Sequence, residues 1–290
     1  MLDPILLWSG LINGLLQGSI YALVALGLTL IYGVLHIINF AHGSLLMLAM
    51  YGVFLLFTNF GIDPYAALPI LVIGMFALGY GLQRVLIGRA SHGRDENILL
   101  VTLGISIVIE NLALFFFQGD TRTIDVPYAF DSIEIAGVFV AIPRLIAFGA
   151  ALLIAALLWL MIQRSDVGRA IRAVAKEKQG ARLVGINVDH IYAVSYGIGI
   201  ACLGAAACLL MPTYLVYPTV GHAFVLIAFT VVVLGGMGSF PGALLGGLLI
   251  GLCESFGGLF LGESFGQIGI FLVFIAVLLF RPSGLLGSRV

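Results

Sequence analysis

Charge is what this sequence lacks. Only 9% of its 290 residues are Asp, Glu, Lys or Arg, while 61% are hydrophobic and the mean hydropathy is +1.17. A soluble domain carries about 25% charged residues because it needs a wettable exterior. So few charges cannot cover a water-facing surface of this size, which excludes a soluble globular protein and makes lipid the main solvent. Cysteine is scarce too. Cys202, Cys208 and Cys253 all lie in apolar runs, without metal-ligand spacing or a partner in an exposed loop, and read as small packing residues. A glycine-rich phosphate loop ending in Gly-Lys-Ser/Thr is missing, so the chain is expected not to hydrolyse ATP itself. No cluster of His, Asp or Cys converges on one membrane face, which leaves no catalytic or metal site and no cofactor to expect. The net charge of -1 gives no sign of a nucleic-acid partner. Met1-Leu2-Asp3-Pro4 has no basic residue, and the start of the chain reads as a retained segment rather than a signal peptide.

What is present is a succession of long apolar runs. A bilayer core of about 30 Å needs roughly 20 apolar residues per helix. Windows of that size predict spans at 9–33, 36–57, 66–87, 98–117, 143–163, 191–210, 222–236, 242–260 and 266–280. Backbone groups in lipid must be bonded internally, so such runs mean helices. Their lack of alternation argues against a barrel. The expected fold is therefore all-α: one polytopic transmembrane bundle over 1–290, with about nine spans (8–10), some of them broken.

Lys and Arg set the orientation. Arg84, Arg89 and Arg94 flank one loop, and Arg164, Arg169, Arg172, Lys176, Lys178 and Arg182 crowd another. With Arg281 and Arg289, eleven of the thirteen basic residues fall on one side of a nine-span chain. The other side receives Arg122 and Arg144 with Asp3, Asp63, Asp120, Asp125, Asp131, Glu134 and Glu263. The N-terminus is expected outside and the C-terminus in the cytoplasm. Residues 118–142, acidic and with two β-branched clusters, read as an external loop: a small cap or a plain polar connector.

The basic segment 164–190 has a pattern of its own. Ala170, Ile171, Val174, Ala181 and Val184 recur near helical spacing while the charges occupy other faces. Gly180 and Gly185 permit a tight turn and a close backbone approach. Such an amphipathic helix can lie on a membrane surface or in a partner's groove, and the mixture of small and charged residues suits a protein groove better.

Several stretches together carry a resemblance. They are Gly18-Ser19-Ile20-Tyr21-Ala22-Leu23, Gly27-Leu28-Thr29-Leu30-Ile31-Tyr32-Gly33, Ile38-Asn39-Phe40-Ala41-His42-Gly43, Gly168-Arg169-Ala170-Ile171-Arg172-Ala173, Val233-Leu234-Gly235-Gly236-Met237-Gly238-Ser239 and Phe280-Arg281-Pro282-Ser283-Gly284-Leu285. In that order, over nearly the whole chain, they resemble LivH-type permeases of branched-chain amino acid ABC importers. The resemblance implies a multi-pass subunit in a bacterial inner membrane. Its implied partners are a second, LivM-like permease, two cytoplasmic ATPases and a periplasmic substrate-binding protein. Relatives assigned to urea and short amides leave the substrate open, and a stand-alone secondary transporter is the competing class. The resemblance also implies that the basic loop is an ATPase-coupling segment, with Arg169, Arg172, Ala173, Glu177, Gly180, Ala181 and Gly185 as its candidates.

Polar residues at the breaks and inside the spans are the pathway candidates. Asn39, His42, Gly43 and Ser44 stand at the junction of two spans, as a gate or as a tight turn at the cytoplasmic interface. Gly43-Ser44 and Gly238-Ser239 hint at an internal repeat. Gly242/Gly246 and Gly247/Gly251 have the spacing of close helix packing. Glu110 and Glu254 are acidic residues within apolar spans; buried charge in lipid is costly, so each faces protein or water. Either glutamate can line the path or pair structurally between helices, and the structural role is the expectation adopted here.

Overall fold

The computed structural model describes residues 4–90, 95–135, 137–262, 265–281 and 284–286. Asp3, Arg94, Glu263 and Arg289, used in the charge argument, lie outside the described residues, as do Pro282 and Ser283. Eleven helices occur among the described residues: α1 (Pro4–Leu35), α2 (His42–Phe60), α3 (Leu68–Ala90), α4 (Asp95–Phe117), α5 (Ile142–Arg164), α6 (Asp166–Lys176), α7 (Lys178–Leu183), α8 (Val188–Leu210), α9 (Gly221–Gly235), α10 (Phe240–Leu261) and α11 (Gly266–Phe280). Seven of them (α1, α2, α3, α4, α5, α8 and α10) are long and apolar enough to cross a membrane. The shorter apolar helices α9 and α11 have 15 residues each, roughly 22 Å of helix and less than a full span.

The expectation of an all-α chain needs one amendment. Strands β1 (Ser132–Ile135) and β2 (Val138–Ala141) form an antiparallel hairpin, with Ser132 opposite Ala141 and Ile135 opposite Val138. The β-branched residues Ile133, Ile135, Val138 and Val140 favour a pleated ribbon there. On β2, Val138 and Val140 turn inward against Leu16. The hairpin belongs to the expected external loop. Asp63 receives a hydrogen bond from the Tyr128 hydroxyl in that loop at 2.6 Å, and the Tyr65 and Tyr128 rings stack at 5.4 Å. Burial and the neighbouring Asp63 carboxylate push Tyr65 up to about 12 and raise Tyr128 as well, so both phenols stay neutral.

Helices α1 and α8 are the most enclosed elements and form the centre of the bundle. Small residues set how closely α1 approaches α10: a side chain on Gly251 would meet the Gly14 carbonyl oxygen at 2.3 Å, and one on Gly18 would meet that of Gly247 at 2.7 Å. The Gly247/Gly251 spacing is thus a backbone-to-backbone contact, worth its dispersion energy only while both positions stay bare.

The second span departs from its expected limits. Residues 36–41 are not helical, and α2 begins at His42 rather than at 36. The His42 Nε2 lies 2.9 Å from the Val24 carbonyl oxygen, roughly three turns before α1 ends at Leu35. After α1 the chain therefore turns back into the bundle, and α2 starts at depth. His42 is fully buried and does not stand at an interfacial turn. A mirrored arrangement follows α8: residues 211–220 turn back, and α9 begins at Gly221 against Gly43. Helix α2 runs from that meeting point toward Phe117 at the end of α4, against which Tyr51 stacks at 4.0 Å. Helix α9 runs the other way and ends at Gly235, and in the turn that follows Gly238 lies against Gly33 near the end of α1. The repeat hint thus attaches to the wrong pair. Gly238-Ser239 caps α10 through a Gly242 N–H to Ser239 Oγ bond of 3.2 Å, whereas the residue that meets Gly43 is Gly221.

Candidate functional site

Where α2 and α9 begin, backbone meets backbone. A Cβ on Gly43 would stand 2.0 Å from the Gly221 oxygen, and one on Gly221 would stand 2.4 Å from the Gly43 oxygen. Only glycine at both positions lets two helix N-termini come this close. The non-helical entry to α2 is bonded locally: Asn39 Oδ1 accepts from Ala41 N at 3.1 Å, and Thr102 Oγ1 on α4 accepts from Phe40 N at 3.3 Å. A carbonyl only accepts, so His42 donates from Nε2 to Val24 and its tautomer is set. These bonds satisfy backbone that lipid could not.

Beside this crossing lies a four-residue polar network. Glu110 Oε1 on α4 accepts from Ser44 at 2.8 Å and from Ser106 at 3.2 Å. The two serine hydroxyls are 2.6 Å apart. His222, in the first turn of α9, places Nε2 2.8 Å from the same carboxylate oxygen. The Glu110 side chain is 15% exposed and that of His222 is 62% exposed, so one side of the network is open. Ser44 stands in the first turn of α2, where the unsatisfied N–H groups give a partial positive charge that favours a neighbouring carboxylate. The arrangement can hold a negative charge and hand hydrogen bonds between neighbours.

The sequence candidates thus separate. Ser44 and Glu110 join one network, with Gly43 and His42 forming the crossing that places it. Asn39 supports the re-entrant backbone. Glu254 is elsewhere: its Oε2 accepts from the buried Tyr21 hydroxyl at 2.7 Å, tying α10 to α1. Ser106 and His222 were absent from the sequence candidates. A signal existed for His222, since Gly221-His222 opens a helix after a break, as His42-Gly43 does. Ser106 becomes visible only as the residue one turn before Glu110 on the same face.

The basic segment folds as two short helices packed against the ends of α1, α5 and α8. Ser165 caps α6 by accepting from Gly168 N at 2.9 Å, and Glu177 caps α7 by accepting from Gln179 N at 3.1 Å. Ile171 and Val174 bury against Leu30, Val34, Ile162, Val188 and Ile191. Arg172 donates to the Ile162 carbonyl near the end of α5, and Arg169 pairs with Asp166. Ala181 is buried in the same cluster, so it belongs to the inner face and not to an outward docking surface. Ala173 and Gly180 are partly buried and Gly185 is exposed, with φ +85°. The outward apolar residues are Leu183 and Val184, 89% and 75% exposed. Because Arg172 bonds a backbone carbonyl of α5, Arg172→Ala is expected to lower the thermal stability of the purified chain by about 1–3 kcal/mol. Arg169→Ala, which breaks only an exposed pair, should fall within about 1 kcal/mol of wild type in the same melting assay.

A bundle of apolar helices, seven of them long and apolar enough to cross a membrane and two, α2 and α9, beginning beside a polar network, describes a multi-pass membrane protein. The chain belongs to the family described as the branched-chain amino acid transport system permease component, whose model matches residues 10–280. It is 36% identical to the high-affinity branched-chain amino acid transport system permease protein BraD of Pseudomonas aeruginosa, over 96% of this chain and 94% of that one. It is 33% identical to the corresponding LivH protein of Salmonella typhimurium, over 95% and 94%. A more distant relative is the ribose import permease protein RbsC of Bacillus subtilis, 27% identical over 93% and 84%. No solved structure matches the chain.

Proposed function

We propose that this chain is the membrane-spanning permease of an ABC importer and forms part of the translocation path for leucine, isoleucine and valine. Family membership supports the transport class, and the names of BraD and LivH support the substrate. The observation that carries the path is the Glu110–His222 pair with its open side. An ionisable pair on an apolar bundle is costly against hydrocarbon, so this face meets water or another protein. A second permease subunit, LivM-like, closes the path over it. Two cytoplasmic ATPases and a periplasmic binding protein complete the importer. An apolar cargo passes such a path by transient polar contacts, with tight binding left to the delivery protein. The positive-inside rule places the α6–α7 face in the cytoplasm and the N-terminus outside, in a bacterial inner membrane.

The substrate test is uptake by the assembled complex with leucine, isoleucine, valine, urea and short amides as competitors. Competition by the three branched amino acids is expected; competition by urea or amides alone would move the reading to those substrates. Ion-driven uptake by the chain without an ATPase would replace it with a secondary transporter.

Coupling is assigned to α6, α7 and the turn at Gly185. Exposed apolar side chains at the tip of a basic segment are suited to anchor in a pocket of the ATPase. Leu183→Asp with Val184→Asp should reduce ATPase co-purification and substrate-stimulated hydrolysis about tenfold or more. Membrane insertion, read from the purified yield of the chain, should stay as in wild type. Undiminished hydrolysis and co-purification would remove the tip from the docking surface.

A further inference from the structure

A basic groove remains outside the proposed path and outside the docking tip. It measures about 680 Å³ and lies between the end of α3 and the helix α7, within the roughly 300–1,000 Å³ range of small-molecule sites. Arg84 and Arg89 line it from α3, and Lys178 and Arg182 line it from α7. Among the described residues, its one acidic lining residue is Asp189, 3.9 Å from the Arg182 guanidinium. Four cations against one carboxylate leave a strong excess of positive charge. Among the described residues, Arg84 and Arg89 have no ion-pair partner.

Two further features point to an occupant. Residues Gln83–Ile87 of α3 form a π-helical turn, a widening that is frequent at functional sites. Gln83 itself is 5% exposed, lines the groove, and its side-chain oxygen has no hydrogen-bond partner. A buried acceptor left open at the groove wall calls for a donor on the occupant, such as a headgroup hydroxyl. The Lys178 ammonium is held 5.5 Å above the Tyr192 ring. Cationic forks and an ammonium around one volume match the oxygen atoms of a phosphate.

The apolar part of the surroundings decides which phosphate. Leu35 and Ile98 also line the groove, and Val85 and Leu86, on the same turn as Arg84, are exposed. The groove stands at the end of the candidate span Leu68–Ala90, the level at which headgroups meet hydrocarbon. A free phosphate has no use for an apolar rim, whereas a lipid sets its acyl chains against one. We propose that this groove is a binding site for the phosphate headgroup of an anionic phospholipid, wedged between α3 and α7. The site does not depend on which solute crosses the protein. Its consequence is regulatory: the lipid braces α7 against α3 and so holds the segment that ends in Leu183 and Val184.

The test uses the full chain purified in detergent and titrated with dioleoyl phosphatidylglycerol, dioleoyl phosphatidylcholine or inorganic phosphate, with bound molecules counted by native mass spectrometry. Wild type should retain phosphatidylglycerol over phosphatidylcholine. The double variant Arg84→Gln, Arg89→Gln should weaken that retention about tenfold or more. The pair Arg84→Lys, Arg89→Lys, which keeps the charge, should recover most of it and shows that the fold tolerates change there. Equal phosphatidylglycerol binding by wild type and the glutamine variant would overturn the proposal. So would saturation by inorganic phosphate with no preference for the lipid. In the assembled importer, loss of the ATPase from the glutamine variant with lipid binding unchanged would assign the groove to a protein interface instead and equally overturn it.

Discussion

Replacing Glu110 by alanine is expected to lower leucine uptake by the assembled importer about tenfold or more while the complex still assembles. Three contacts converge on one oxygen of this carboxylate, from Ser44, Ser106 and His222. Removing it leaves buried hydroxyls and an imidazole without their acceptor, and hydrogen bonds to a charged group contribute about 1.5–3 kcal/mol each. Glu110→Gln keeps an oxygen for the serines but no negative charge for His222. Its uptake should fall between wild type and alanine, and a His222→Ala variant should resemble it. The sequence alone favoured a structural role, with modest effects for glutamine. The network's open side changes that expectation. Uptake within twofold of wild type for both Glu110 variants, with normal assembly, would restore the structural reading and take the path off this face.

A second large effect is expected at Gly43. The atom nearest a new Cβ there is the Gly221 carbonyl oxygen at 2.0 Å, and next are the Gly221 carbonyl carbon and Val225 Cβ. Backbone cannot rotate out of the way as a flexible side chain can. Gly43→Val therefore forces apart the two helix starts that place Ser44 and His222 beside Glu110. Overpacking of this kind costs about 1–3 kcal/mol or more, and here it strikes two elements at once. The melting temperature of the purified chain should drop sharply, or no folded chain should be recovered. Gly104→Ala on α4 is the control, because nothing lies within 4 Å of its new Cβ. It should leave the melting temperature unchanged or raise it, by up to about 1 kcal/mol of helix propensity. A Gly43→Val chain that melts with the control would mean that α2 and α9 do not meet as described.

These two predictions mark where sequence reading stopped. Each of the nine apolar windows contains a helix, seven of them long and apolar enough to cross a membrane, because a run of apolar residues with so little charge has one economical way to bond its backbone in lipid. Their ends were less legible. The second window opened at 36 because Ile37 and Ile38 are as apolar as the helix that follows; hydropathy does not distinguish a helical isoleucine from a re-entrant one. The same blindness left His42 open between a gate and an interfacial turn, when its ring is sealed against the Val24 carbonyl.

The basic loop shows a similar division. Its helical spacing was visible, and Ile171, Val174 and Ala181 do form one apolar face. Which face turns inward depends on where α1, α5 and α8 end, and spacing carries no information about that. Ala181, a coupling candidate, is buried with Ile171 and Val174 for this reason, while Val184, grouped with them by spacing, is exposed beside Leu183. Arg84 and Arg89 were counted on the same side as Lys178 and Arg182 from charge alone. Only the return of the chain through α4, α5 and α6 brings them to one groove.

By itself the sequence determined the solvent and the helical class, and the order of its motifs resembled the family to which the chain belongs. Each follows from composition or from local order along the chain, which act over a few turns of helix. The tertiary structure decided that α2 and α9 start inside the bundle, that Glu110 answers to His222 rather than to a neighbour in sequence, and that Glu254 does not share their site. Those relations join residues more than sixty positions apart. The first two exist because bare glycines at Gly43 and Gly221 let two backbones touch.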